Sequence, residues 1–252
     1  MLHFNDIVFG PIVSRRLGSS LGVNVLPTVG KLCNFDCVYC ECGWNKDGKG
    51  DNVFPCYEDV AQALEDKMAK LSAEGTPVDS ITFSGNGEPT MNPDFARIVE
   101  TTLQLRDRYY PKAVVSVLSN ATLAWREDVF QALSKVDNAI LKLDAGTDEL
   151  VEAVNKPVGS YSVDKVVDSL ARFEGRFVLQ TMFVRSGDFD TTAPEALSVW
   201  MDIVRRVSPR EIMIYTIDRE TPDKTLQKYT VEEMKSFVQP LLDEGFEIQI
   251  RG

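Results

Sequence analysis

Three of the chain's five cysteines fall within eight residues, Cys33-Asn34-Phe35-Asp36-Cys37-Val38-Tyr39-Cys40, spaced C-x3-C-x2-C. Thiolates are soft ligands, and this spacing brings three of them within reach of one metal centre. Structural zinc normally joins a C-x2-4-C pair to a second pair of Cys or His. This chain has a single histidine, His3, and no second C-x2-C, so zinc would need Cys42 as its fourth ligand. A cubane iron–sulfur cluster normally takes four protein thiolates. Three leave one iron open, able to bind a small molecule and act on it. Three unrelated buried thiols are the remaining reading. A second stretch, Ser84-Gly85-Asn86-Gly87-Glu88-Pro89-Thr90, has glycines that let the backbone approach a ligand closely and adopt positive φ. It lacks the Lys-Ser/Thr of a phosphate-binding P-loop. Its plain alternative is a Gly-rich turn.

The elements that must position these residues alternate between strand and helix patterns. Strands are predicted over residues 23–29, 80–83, 113–119, 138–143, 176–184 and 211–217, with a short final strand at 247–251. Helices are predicted over 57–73, from Asn92-Pro93 to about Arg108, and over 125–134, 163–173, 193–207 and 231–242. Residues 42–56, rich in Gly, Asp, Lys and Asn, read as a long loop. Such alternation implies βαβ units and parallel pairing. Six repeats are fewer than the eight that close a barrel, and a doubly wound open sheet satisfies the same periodicity. No linker or second domain interrupts the pattern, so residues 1–252 read as one domain.

In parallel α/β folds, sites gather at the carboxyl ends of the strands. The informative residues fall there. The three cysteines follow the first strand, Gly85, Gly87 and Glu88 the second, and Ser119-Asn120 close the third. Asp144 follows the fourth, Arg185 the fifth and Asp218-Arg219 the sixth. Lys142 lies at the fourth strand, and Gln180 and Met182 share a face of the fifth. Arg15-Arg16, in a Gly-bounded loop before the first strand, form a pair suited to an anionic substrate group. Each has a bland counterpart: caps and turns for Ser119-Asn120, a core aromatic for Tyr39, solvated or paired charges for the rest.

Composition narrows the classes. The net charge of −11, from 27 basic and 38 acidic residues, offers no basic track for nucleic acid. No apolar run is long enough to span a membrane. Met1-Leu2-His3-Phe4-Asn5-Asp6 is not a basic-then-apolar secretory leader. Crowded cysteines in odd number suit metal ligation in a reducing cytoplasm better than a disulfide scaffold.

The cysteine spacing, with an aromatic residue (Tyr39) just before the third cysteine, resembles the signature of the radical S-adenosylmethionine (SAM) enzymes. Ser84 to Thr90 is similar to that family's glycine-rich motif after the second strand. The resemblance implies a six-unit partial barrel, a (β/α)6 TIM-like fold open on one side. It implies that Cys33, Cys37 and Cys40 hold three irons of a [4Fe-4S] cluster, while SAM's amino and carboxylate groups chelate the fourth. A low-potential electron, from an external reductant of the flavodoxin or ferredoxin type, would cleave SAM to methionine and a 5′-deoxyadenosyl radical that takes a hydrogen atom from the substrate. By the same resemblance, Gly85, Gly87 and Glu88 meet the amino group of SAM, and Ser119-Asn120 its ribose or carboxylate. Tyr39 faces the adenine, chiefly through its backbone, Asp144 faces the ribose or substrate, and Arg185 pairs with the carboxylate. Phe9-Gly10-Pro11, Ser14 to Gly18, Ser84 to Thr90 and Arg219 look nearest to the subgroup related to the tRNA wyosine-base synthases. Those carry additional cysteines ahead of the signature, whereas none precedes Cys33 here. The substrate is therefore unassigned, with wyosine-type tRNA modification, glycyl-radical activation and a non-catalytic zinc-stabilised module as alternatives.

Overall fold

The computed structural model describes residues 4–14, 18–47, 50 and 52–252. Arg15 and Arg16 lie outside them. Eight strands form one sheet in sequential order: β1 (Val8–Ser14), β2 (Gly18–Val23), β3 (Ser80–Phe83), β4 (Val114–Ser119), β5 (Asn138–Lys142), β6 (Val178–Met182), β7 (Glu211–Tyr215) and β8 (Ile248–Arg251). β1 and β2 pair antiparallel, and every later neighbour pairs in parallel. A doubly wound sheet reverses its strand order at a switch point. This order never reverses, so the winding is that of a barrel left open between β1 and β8. The expected partial barrel is the observed fold.

The helices are α1 (Tyr57–Ala73), α2 (Phe95–Tyr109), α3 (Glu127–Lys135), α4 (Asp148–Asn155), α5 (Val163–Ala171), α6 (Pro194–Val207), α7 (Val231–Phe237) and α8 (Gln239–Asp243). In α1, Val60, Leu64, Met68 and Leu71 form the buried stripe that its 3.6-residue period predicts. Among the described residues no helix is long and apolar enough to cross a membrane. The main core lies between the helices and the outer face of the sheet, with Phe83, Phe95, Phe183 and Trp200 fully buried. A smaller cluster (Ile140, Val178, Met213 and Tyr215) fills the barrel interior. Beneath it, the hydroxyls of Ser20, Ser80 and Thr82 bond one another and floor the interior.

Three expectations needed correction. The first strand was expected at residues 23–29, but the ladder is a hairpin ending at Val23. Beyond it the Leu26 amide bonds the Asn24 side chain, not a neighbouring strand. The single helix expected at 231–242 is two, because Pro240 has no N–H to continue α7 and instead starts α8. Finally, α4 was not anticipated at all.

Candidate active site

The cysteine loop is knit from within by a buried lysine. The Lys31 ammonium donates to the Gly43 carbonyl at 2.7 Å and to Asp36 at 3.3 Å, with its side chain 1% exposed. Asp36 also accepts from the Asn45 amide at 2.7 Å, and the Asn45 side chain donates to the carbonyls of Cys33 and Phe35. A buried cation is costly unless paired, and here the loop folds around it.

Two elements grip the loop from outside. On one flank, Leu32 N–H donates to the Asn86 carbonyl at 2.8 Å, and Glu88 N–H to the Leu32 carbonyl at 3.2 Å. The contact is so close that a Cβ on Gly87, whose φ is +141°, would sit 1.9 Å from the Leu32 carbonyl oxygen. A Cβ on Gly85 would meet Asn24 at 2.3 Å. The demand for glycine therefore comes first from neighbouring parts of the chain, the cysteine loop at Gly87 and Asn24 at Gly85. On the other flank stands the C-terminus of α4. Asp36 N–H donates to the carbonyls of Asn155 and Lys156, at 2.9 and 3.2 Å, and Val38 N–H to Val154 at 3.0 Å. The last carbonyls of a helix lack intrahelical partners, and the loop supplies them.

Cys33, Cys37 and Cys40 all line one cavity of about 570 Å³, at the carboxyl ends of the strands. Burial raises the Cys33 thiol's pKa, and pushes that of Cys37 up to about 11. Cys40 and Cys42 share one charge, and the neighbouring Cys42 thiol lowers Cys40 while Cys42 is raised in turn. Burial alone would lower Lys31. The charges of Cys40, Cys33, Asp36 and Cys37 outweigh it and hold the ammonium above its ordinary value. The thiols receive N–H groups as well: Phe35 N and the Asn120 amide reach Cys33 at 3.4 and 3.9 Å, and the Asn155 amide reaches Cys37 at 3.3 Å. Among the described residues no three or more Cys, His, Asp or Glu side chains gather around a point that suits one metal ion. Three thiols that open on one cavity, beside a fixed cation, fit the donor set of an iron–sulfur cluster, which is larger than an ion.

Behind the glycines, Glu88 is a hub. Its carboxylate accepts from Thr90 N–H (3.0 Å), Thr90 Oγ1 (2.6 Å), Ser119 Oγ (2.8 Å) and Asn120 N–H (2.6 Å). Burial nonetheless leaves its pKa above the usual carboxylate range. The expected residues of the second and third strand ends are thus bonded to one another. Gly85, Gly87, Glu88, Ser119 and Asn120 all line the cavity, as does Tyr39. Tyr39 O–H donates to Asp144, and Lys142 Nζ donates to Tyr39 at 2.9 Å. Asp144 is buried one layer behind Tyr39 and is not a lining residue, whereas Lys142, Gln180, Met182, Asp218 and Arg219 are.

Arg185 departs from expectation. It is not among the lining residues. Its backbone bridges to Asp190 and Gln227, and its guanidinium lies over the Tyr229 ring at 4.8 Å, in a separate network with Asp190. That place does not suit pairing with a ligand carboxylate in the cavity. Cys42 lines the cavity, and Cys56 is exposed at the start of α1. Two residues escaped sequence reading. Lys31 carried one signal, a lone lysine two positions before the first cysteine. Asn155 carried another: Thr147 caps a short amphipathic helix with acidic residues in its first turn, which ends at Asn155-Lys156-Pro157.

A sequence profile described as Radical SAM superfamily matches residues 28–198. The UPF0026 protein of Methanocaldococcus jannaschii is 29% identical over 231 residues, covering 90% of this chain and 68% of that one. Among solved structures, SuiB of Streptococcus suis bound to S-adenosylmethionine superposes with a TM-score of 0.65 at 14% identity, over 88% of this chain and 49% of that one. TYW1 with a lysine-pyruvate adduct bound gives a TM-score of 0.62 at 14% identity, over 92% and 76%. The chain therefore spans about half the length of SuiB, and at these identities both superpositions speak for the fold.

Proposed function

The chain belongs to the radical SAM superfamily, and from that premise we propose that Cys33, Cys37 and Cys40 hold a [4Fe-4S] cluster beside which SAM binds and is reductively cleaved. Once reduced by an external one-electron donor, a bound cluster would supply the electron for splitting SAM into methionine and a 5′-deoxyadenosyl radical that would take a hydrogen atom from the substrate. The observation that carries the reading is the single cavity on which the three thiols, the Gly85–Glu88 turn and Ser119-Asn120 all open. The rest is the work of this chain's residues. Gly85 and Gly87 let this turn press against Asn24 and the Leu32 carbonyl, so that its backbone borders the cavity where a ligand's amino group would sit. Glu88, with four donors already on its carboxylate, fixes the ends of β3 and β4 at one spacing and adds negative charge for that amino group. Asn120 is oriented by Asn34 and Thr122. Tyr39 and Lys142 close the far side. Lys31, itself buried in the loop, offsets the negative charge of sulfur.

The substrate lies beyond SAM, toward Gln180, Met182, Tyr215 and Arg219 of the same cavity. Membership in this family favours an enzyme over the zinc-stabilised module. Anaerobic reconstitution tests the proposal. It should give a brown protein with about four irons per chain that releases 5′-deoxyadenosine from SAM under reduction. Cys37→Ala should lose both colour and product. A colourless zinc protein, or a Cys37→Ala variant that still yields 5′-deoxyadenosine, would overturn the assignment.

A further inference from the structure

We infer that Asn155 is a positioning residue for the cluster: its side-chain amide donates an N–H to the Cys37 sulfur and so sets the cluster's reduction potential. The inference rests on the cluster assignment above. Asn155 is the last residue of α4 and is 1% exposed. Its Nδ2 has three acceptors in reach: Asp144 Oδ2 at 2.6 Å, Tyr39 Oη at 3.2 Å and Cys37 Sγ at 3.3 Å. The way the amide faces is fixed by chemistry. An ionised carboxylate only accepts, so the NH₂ end, not the oxygen, must point at Asp144. One N–H is then spent on Asp144, and the other is left for Tyr39 and Cys37. Tyr39 gives its own proton to Asp144 and already accepts from Lys142, which leaves the sulfur as the acceptor still short of donors on this side.

An N–H aimed at a ligating sulfur favours the form with more negative charge on it. Reduction adds one electron to the cluster, so the bond stabilises the reduced form more and raises the potential. The backbone of α4 holds the donor in place, since the carbonyls of Val154 and Asn155 accept from Val38 and Asp36 on either side of Cys37. Donor and acceptor are thus tied together at two further points, a built arrangement and not a chance approach.

The test is an electron paramagnetic resonance titration of the reconstituted full chain against potential, with iron content and circular dichroism measured on each sample. Three proteins are compared: wild type, Asn155→Ala, which removes the N–H, and Asn155→Leu, which removes it while keeping most of the volume. The midpoint should fall in both variants, and at the wild-type midpoint the ratio of reduced to oxidised cluster in Asn155→Ala should drop about tenfold. Equal midpoints in three loaded proteins overturn the inference and leave the cluster assignment standing. Variants that lose iron and fold together overturn it too, in favour of a packing role. A wild-type chain that takes up no iron removes the cluster assignment itself, and this inference with it.

Discussion

The two flanks of the cysteine loop do the same job by opposite means. On the β3 side the loop is met by a turn that comes so close that only glycine fits at Gly87, where a Cβ would lie 1.9 Å from a backbone oxygen. On the α4 side it is met by the free carbonyls of a helix end, Val154 through Lys156, which any residue type supplies. Steric exclusion leaves a mark on composition, and main-chain acceptance leaves almost none. The difference explains why one flank reads as a motif and the other passes unseen, although both anchor the same loop.

The comparison can be broken most forcefully at Gly87. Gly87→Val places carbon inside the Leu32 carbonyl, an atom that cannot swing aside, and should cost about 3 kcal/mol or more with loss of iron uptake. A denaturant melt within about 1 kcal/mol of wild type would show that the close approach is not required. Glu88→Gln comes next. It turns an NH₂ against donors that need an acceptor, and should cost about 1–3 kcal/mol while weakening SAM binding measured by calorimetry. The α4 flank should yield less and more locally. Thr147 caps α4 by accepting from Leu150 N–H at 3.3 Å, so Thr147→Ala should cost about 1 kcal/mol. Amide exchange at Asp36 and Val38 should then quicken about fivefold, with Leu32 and Glu88 unchanged. Equal acceleration on both flanks would mean that they are not separate supports. The smallest effect is a gain. Lys156 ends α4 with φ at 45°, a conformation that suits glycine, so Lys156→Gly should raise the melting midpoint by an amount worth about 0.5–1 kcal/mol.

The same distinction governs what could be read in advance. Period carried the helices well: residues 57–73 were expected and Tyr57–Ala73 is observed. Ser80–Phe83 and the strands beyond it also fell within a few residues of their expected places. The first strand failed because Gly18–Val23 is poor in β-formers. Its glycine is kept because a Cβ at Gly22 would strike the Phe9 ring at 2.1 Å. In the site, the residues named by type and spacing (three cysteines, two glycines, Glu88, Ser119, Asn120) share one cavity. Arg185 lay on the right strand end but turned to Tyr229, since strand position fixes a residue's height in a barrel and not its partner. Asn155 and Lys31 act through side-chain hydrogen bonds to residues distant in pattern, which only the folded chain makes visible.

One more consequence follows from the strand order. β1 and β8 are the two ends of the sheet, yet Ile12 and Val13 from the first and Arg251 from the last border the same hollow. A closed cylinder admits guests only through its mouth and so limits them by overall bulk. A cylinder slit along its side limits only the part that dips in, and a long polymer lying across the slit can offer one unit to the chemistry while the remainder stays in water.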